Sequence, residues 1–223
     1  MSYTRFAIYY FPPEGPLATF GRNWLGWDIA RGGEVPQFDL PGLPSITAAP
    51  RKYGFHGTLK PPFRLSDGQS LTALEDTVAE LAATTAAATC DTLELKAIGR
   101  FLALTPKGGN EDLRRLAAAC VRDLDIFRKP PAPDDLERRR KVGLTDRQEA
   151  LLTQWGYPYV MEEFRFHLTL TGPLSEGSAE LWIERAERVL PALPNPFVVD
   201  QIALCGERAD GRFEVIHRYT LAG

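Results

Sequence analysis

The stretch YGFHGTLKPPF at residues 53–63 has a near copy, FRFHLTLTGPL, at residues 164–174. Aligning His56 with His167 pairs Phe55 with Phe166, Thr58 with Thr169, Leu59 with Leu170 and Pro62 with Pro173. Side chains alternate across a strand, so each copy predicts one apolar face: Phe55, Gly57 and Leu59 in the first, Phe166, Leu168 and Leu170 in the second. The opposite face carries His56, Thr58 and Lys60 in one copy, and Arg165, His167, Thr169 and Thr171 in the other. A packed core has no need of a face made of imidazole, hydroxyl and cation. Its occurrence twice points to two halves of one site.

Outward from the motifs, helical and strand patterns are mixed. Residues 5–11 predict a first strand and 17–29 a helix, and the Pro- and Gly-rich segment 32–50 predicts a loop. After the first motif, residues 70–88 have helical spacing with Ser70 as N-cap, and 93–104 predict a strand pair bent at Gly99. Residues 110–127 predict a second helix. After the second motif, residues 178–190 predict a helix, and 197–204 and 213–221 predict strands. The order motif strand, helix, strand, glycine, strand therefore recurs, which makes the repeat a supersecondary unit. The expected fold is α+β: two pseudo-symmetric lobes of antiparallel sheet, helices packed outside, and a cleft between the lobes. The expected boundaries are a lobe over about 30–127, a Pro-rich, charge-alternating linker over about 128–160, and a lobe over about 161–223, with the N-terminal strand joining one of the sheets.

Composition narrows the function classes. With 223 residues, 44% hydrophobic and 25% charged, the chain can bury a sizeable core. A net charge of -3 supplies no global field for a polyanion, so nucleic acid is not the expected partner. Cys90, Cys120 and Cys205 are too few and too widely spaced for a disulfide framework and form no C-x-x-C pair. The opening MSYTRFAIYYFPP has neither a basic leader nor a membrane-length apolar run, so a cytoplasmic protein without a membrane partner is expected. There is no Walker-type Gly loop, no H-E-x-x-H and no His/Asp metal cluster, so neither a metal nor another cofactor is expected. The run ERRRK at 137–141, with acidic neighbours, predicts a solvated helix face.

The motifs His56-Gly57-Thr58 and His167-Leu168-Thr169 resemble the paired H-x-T or H-x-S signature of the 2H phosphoesterase superfamily, whose two motifs face each other across a cleft. The wider strings RKYGFHGTLKPPF and FRFHLTLTGPL resemble its bacterial branch associated with phosphonate-utilisation gene clusters. The resemblance implies a metal-independent phosphoesterase acting on a small, cyclic phosphodiester. The alternatives it leaves are an RNA-end 2′,3′-cyclic phosphodiesterase or ligase, and a protein that binds a nucleotide or sugar phosphate without turning it over.

The chemistry fits the pairing. Opening a phosphodiester needs a base for water, an acid for the leaving oxygen, and donors for the phosphoryl oxygens. Imidazole exchanges a proton near neutral pH, so His56 and His167 are the expected acid–base pair, with Thr58 and Thr169 as hydroxyl donors. Lys60, Arg165 and Thr171, on the same predicted face, are expected to bind a second anionic group of the substrate. Tyr53, Tyr157 and Tyr159 are expected to wall the cleft. His217 lacks a Thr two residues on and is expected to be structural.

Overall fold

The computed structural model describes residues 3–223. The chain opens with strand β1 (Phe6–Tyr10) and helix α1 (Pro16–Leu25), followed by a short ribbon of β2 (Trp27–Asp28) and β3 (Gly33–Glu34). Where composition predicts only loop, helix α2 (Leu43–Arg51) forms. Its prolines are compatible with a helix by position. Pro44 sits in the first turn, where an amide has no intrahelical acceptor. Pro50 leaves the Ile46 carbonyl without its usual donor, and the Gly172 amide of the second motif segment donates to it instead at 2.7 Å.

The first motif strand is β4 (Gly57–Phe63). Next come α3 (Leu71–Thr84), capped by the Ser70 hydroxyl accepting from the Ala73 amide, then β5 (Ala88–Cys90), β6 (Thr92–Ile98), β7 (Phe101–Lys107) and α4 (Glu111–Asp123). The linker is folded as α5 (Pro133–Arg140), α6 (Asp146–Trp155) and a 3-10 turn at Met161–Glu163. A reciprocal Thr145–Gln148 cap starts α6. The second motif strand, β8, is reduced to Leu168–Thr169, and is followed by α7 (Ala179–Glu187), β9 (Phe197–Val199), β10 (Gln201–Glu207) and β11 (Phe213–Thr220).

Seven strands form one antiparallel sheet in the order β11-β10-β1-β4-β8-β7-β6, and β5 pairs with β9 apart from it. The α+β class with antiparallel sheets is as the sequence predicts. The lobes are drawn differently from the expected 30–127 and 161–223. Hairpin β6–β7 follows the first motif in sequence, yet β7 hydrogen-bonds to β8 of the second motif. Conversely, β10 lies against β1, beside β4. Matching β1, β4, β5 and β6 to β7, β8, β9 and β10 makes the sheet symmetrical about the β4–β8 junction, with β11 added at one edge. The true repeat therefore starts at β1 and at β7, and each repeat gives its last strand to the other's half of the sheet.

One sheet face is covered by helices. Ile8, Tyr10, Leu59, Leu104, Leu168 and Leu204 pack there with Trp24 of α1, Val78 of α3, Leu116 of α4 and Trp182 of α7. Alternation turns Ala7, Tyr9, Ala203 and Cys205 to the opposite face, where they form a smaller cluster with Phe213 and Trp27. Among the described residues no helix is long and apolar enough to cross a membrane.

Candidate active site

The central junction of the sheet brings the two motifs together. In the antiparallel β4–β8 pair Gly57 stands opposite Leu168, so by register His56 stands opposite Thr169 and Thr58 opposite His167. The four side chains form a two-by-two patch on the face away from the main core. The two imidazoles occupy one diagonal, where Cα atoms lie about 7–8 Å apart. Gly57 permits this packing: a Cβ there would stand 2.6 Å from the Phe166 ring.

Each imidazole is held the same way. His56 Nδ1 bonds the Gly54 carbonyl at 2.9 Å, and His167 Nδ1 bonds the Arg165 carbonyl at 2.7 Å. A carbonyl only accepts, so Nδ1–H is the donor in both, and in the neutral ring Nε2 keeps its lone pair. The Thr58 hydroxyl lies 3.0 Å from His56 Nε2 and donates to it. Among the described residues, His167 Nε2 has no hydrogen-bond partner. Gly54 reaches its position with φ 70°, and a Cβ there would lie 2.7 Å from the Ile29 side chain, so glycine is required where the second copy carries Arg165.

The surroundings make both rings hard to charge. His56 stacks on Tyr9, ring centres 4.0 Å apart, and burial lowers its pKa to about 4, opposed by the Gly54 bond and reinforced by His167. Burial also lowers the His167 pKa, opposed by the Arg165 carbonyl. Its ring lies 5.7 Å from that of Phe101.

Two cavities meet at the patch. One of about 540 Å³ is lined by Thr58, His167, Arg165, Phe101 and the linker residues Gln148, Tyr157 and Tyr159. Another of about 260 Å³ is lined by His56, Thr169, Tyr53 and again Phe101. The linker thus roofs the larger cavity, and all three expected tyrosines stand in the walls. Arg165 is exposed at the cavity beside His167.

Lys60 does not stand as strand alternation predicts. A register shift lets Thr58 pair with Tyr9 while Lys60 pairs with Ile8, so the β-bulge turns Lys60 toward the helices. Only 2% exposed, its ammonium donates to the Val121 carbonyl at the end of α4 at 2.9 Å and lies 3.7 Å from Asp125. Thr171 lines the smaller cavity with His56 and Thr169, nearly buried there, and its hydroxyl accepts from the Leu102 amide at 3.0 Å. Lys60 therefore faces away from the patch, whereas Thr171 stays beside His56 and Thr169 in the wall of the smaller cavity. His217 is exposed on β11, against Tyr219, away from the patch. Phe101, Gln148 and Glu163 line the larger cavity without having been singled out in the sequence, where nothing distinguishes them from ordinary strand and helix residues.

A family model described as "Protein of unknown function (DUF1045)" matches residues 58–214. Two proteins named ribose 1,5-bisphosphate phosphokinase PhnN are similar to this chain. The one from Janthinobacterium sp. (strain Marseille) is 40% identical over 186 residues, covering 81% of this chain and 41% of that protein. The one from Laribacter hongkongensis (strain HLHK9) is 36% identical over 187 residues, covering 82% and 43%. The chain thus spans less than half the length of either relative. Among solved structures, E. coli LigT complexed with 3′-AMP is 16% identical with a TM-score of 0.46 over the whole of both chains. TT0787 of Thermus thermophilus is 16% identical with a TM-score of 0.45, covering 98% of each chain.

Proposed function

The chain belongs to the DUF1045 family, and from that premise we propose that it is a phosphoesterase that opens a small cyclic phosphodiester by two-histidine acid–base chemistry, without a metal. The observation that carries this reading is the β4–β8 register, which sets two histidines and two threonines on one sheet face where two cavities meet. A phosphodiester seated over the patch has an imidazole on either side and a hydroxyl donor for each non-bridging oxygen.

The protons balance as follows. His56, held neutral by burial, takes a proton from water at Nε2 as the water oxygen bonds to phosphorus. The bond from phosphorus to the leaving oxygen breaks, and that oxygen takes the proton from His167 Nε2. His167 enters protonated because the bound phosphate anion beside it favours the charged ring. The Thr58 hydroxyl turns from His56 to the phosphoryl group, and Thr169 donates from the other side. The product is a phosphomonoester, and the two rings return to their starting states by exchange with solvent.

The relatives' name supports a ribose phosphate as the substrate class. This chain has no glycine-rich loop of the kind that cradles nucleotide phosphates, so we assign the kinase reaction in that name to the part of those proteins outside the match. The resemblance of the motif strings supports a place in phosphonate metabolism. The test is a turnover screen over cyclic phosphates of ribose and of small diols, with the His56→Ala/His167→Ala protein as blank. Turnover by the native protein only is expected, and it should persist in a chelator. Equal rates in the blank, or activity that returns only with added zinc or manganese, would overturn the reading.

A further inference from the structure

The cavity beside His167 contains a carboxylate that phosphate chemistry does not call for. Glu163 lines it together with Gln148, Tyr157, Tyr159, Phe101, Phe164 and Arg165. A carboxylate repels a phosphate, so Glu163 suits another part of the ligand. At about 540 Å³ the cavity holds far more than one phosphate group.

The carboxylate is held in place from two directions. Gln148 Nε2 donates to Glu163 Oε2 at 2.9 Å. Gln148 cannot present its oxygen to Glu163 instead, because that oxygen accepts from the Thr145 amide in the cap of α6. Glu163 Oε1 has no hydrogen-bond partner among the described residues. From the chain side, Glu163 ends the 3-10 turn that starts at Met161, whose φ of 54° is unusual for a residue with a side chain. Backbone held in such a conformation is typical of ligand clamps, and here it falls two residues before the carboxylate.

We propose that Glu163 is a specificity-determining residue: it accepts hydrogen bonds from the uncharged, donor-bearing ring of the substrate, while the histidine–threonine patch takes the phosphate. The Tyr159 and Phe101 rings supply flat apolar surface for that ring, and Tyr159 is 43% exposed. The shared ligand chemistry is a ring with O–H or N–H donors, either the hydroxyls of a sugar or the amino edge of a heterocycle. This inference rests on the phosphoesterase reading.

The test compares kcat/KM for three cyclic diesters: ethylene cyclic phosphate, which has no donor; ribose 1,2-cyclic phosphate, which has hydroxyls and no base; and adenosine 2′,3′-cyclic phosphate. In Glu163→Gln the preference for the donor-bearing diesters over ethylene cyclic phosphate should fall about tenfold or more, mainly through KM. Gln148→Met should lower the same preference by less, since it removes only the support. A fall with the ribose ester identifies hydroxyls as the donors, and a fall confined to the adenosine ester identifies the base. Unchanged preferences in Glu163→Gln, or equal losses on all three diesters, would overturn the proposal. If the native protein turns over none of them, the phosphoesterase reading fails. Calorimetric binding of ribose 5-phosphate and of adenosine 3′-monophosphate then decides the ring site: weaker binding in Glu163→Gln supports it, and unchanged affinity overturns it.

Discussion

His56 and His167 share one backbone tether and differ in what surrounds Nε2. His56 lies on Tyr9 with Thr58 at its Nε2, whereas His167 Nε2 is unpartnered among the described residues. On the proposed mechanism that difference makes His56 the base and His167 the acid, and leaving-group chemistry can test it. On a p-nitrophenyl phosphodiester, whose leaving group needs no proton, His167→Ala should lose less than about tenfold. His56→Ala should still lose about 10²- to 10⁴-fold, the usual range for a general base. Equal losses would exchange or merge the roles. The low His56 pKa also has a stability consequence. An unfolded histidine titrates near 6.5 and this one near 4, so between those values the unfolded chain binds the extra proton and stability falls as the pH falls. Thermal unfolding measured from pH 7 to pH 4 should therefore drop less steeply in His56→Asn than in the native protein.

At the scale of the element, the bulge in β4 decides which residues of one strand serve the site. The turn it makes after Thr58 delivers Lys60 to the end of α4, where the ammonium meets the Val121 carbonyl and neighbours Asp125. Burial lowers the Lys60 pKa to about 8, opposed by Asp125, so the ammonium is still charged at neutral pH. Lys60→Ala leaves the Val121 carbonyl without its donor, while Asp125 keeps its two hydrogen bonds from Arg128, and should destabilise the protein by about 1–3 kcal/mol in urea unfolding. It should leave KM for a cyclic diester within about twofold, because the side chain faces away from the patch. A large rise in KM would return Lys60 to the substrate.

Across the whole molecule, the repeats are interlocked. β6 pairs with β7, β10 with β1, and β5 with β9, and each of these pairings joins the first repeat to the second. A chain cut in the Pro-rich segment after Arg128 keeps β6 with β7 but separates β10 from β1, β9 from β5, and β8 from both β4 and β7. Neither fragment, 1–128 or 129–223, should show a cooperative thermal transition alone, and mixing the two should restore one, followed by circular dichroism. Independent folding of either fragment would contradict the exchange of strands.

How much of this was legible in the sequence follows from how far each feature reaches along the chain. The spacing His-x-Thr selects one face of a strand by local geometry alone, so the sequence by itself determined the four residues of the patch, the α+β class and most of the helices. Alternation predicts wrongly at Lys60, because a bulge depends on the register of the partner strand, and that partner, β1, is distant in sequence. Helix α2 was hidden because proline composition signals a loop unless its position within the turn is known, and because the Ile46 carbonyl finds its donor on Gly172. The carbonyl tethers at Gly54 and Arg165, the roof formed by the linker and the carboxylate at Glu163 were likewise decided only by the tertiary structure. Each depends on backbone direction or on contacts between segments distant in sequence, and residue type alone carries neither.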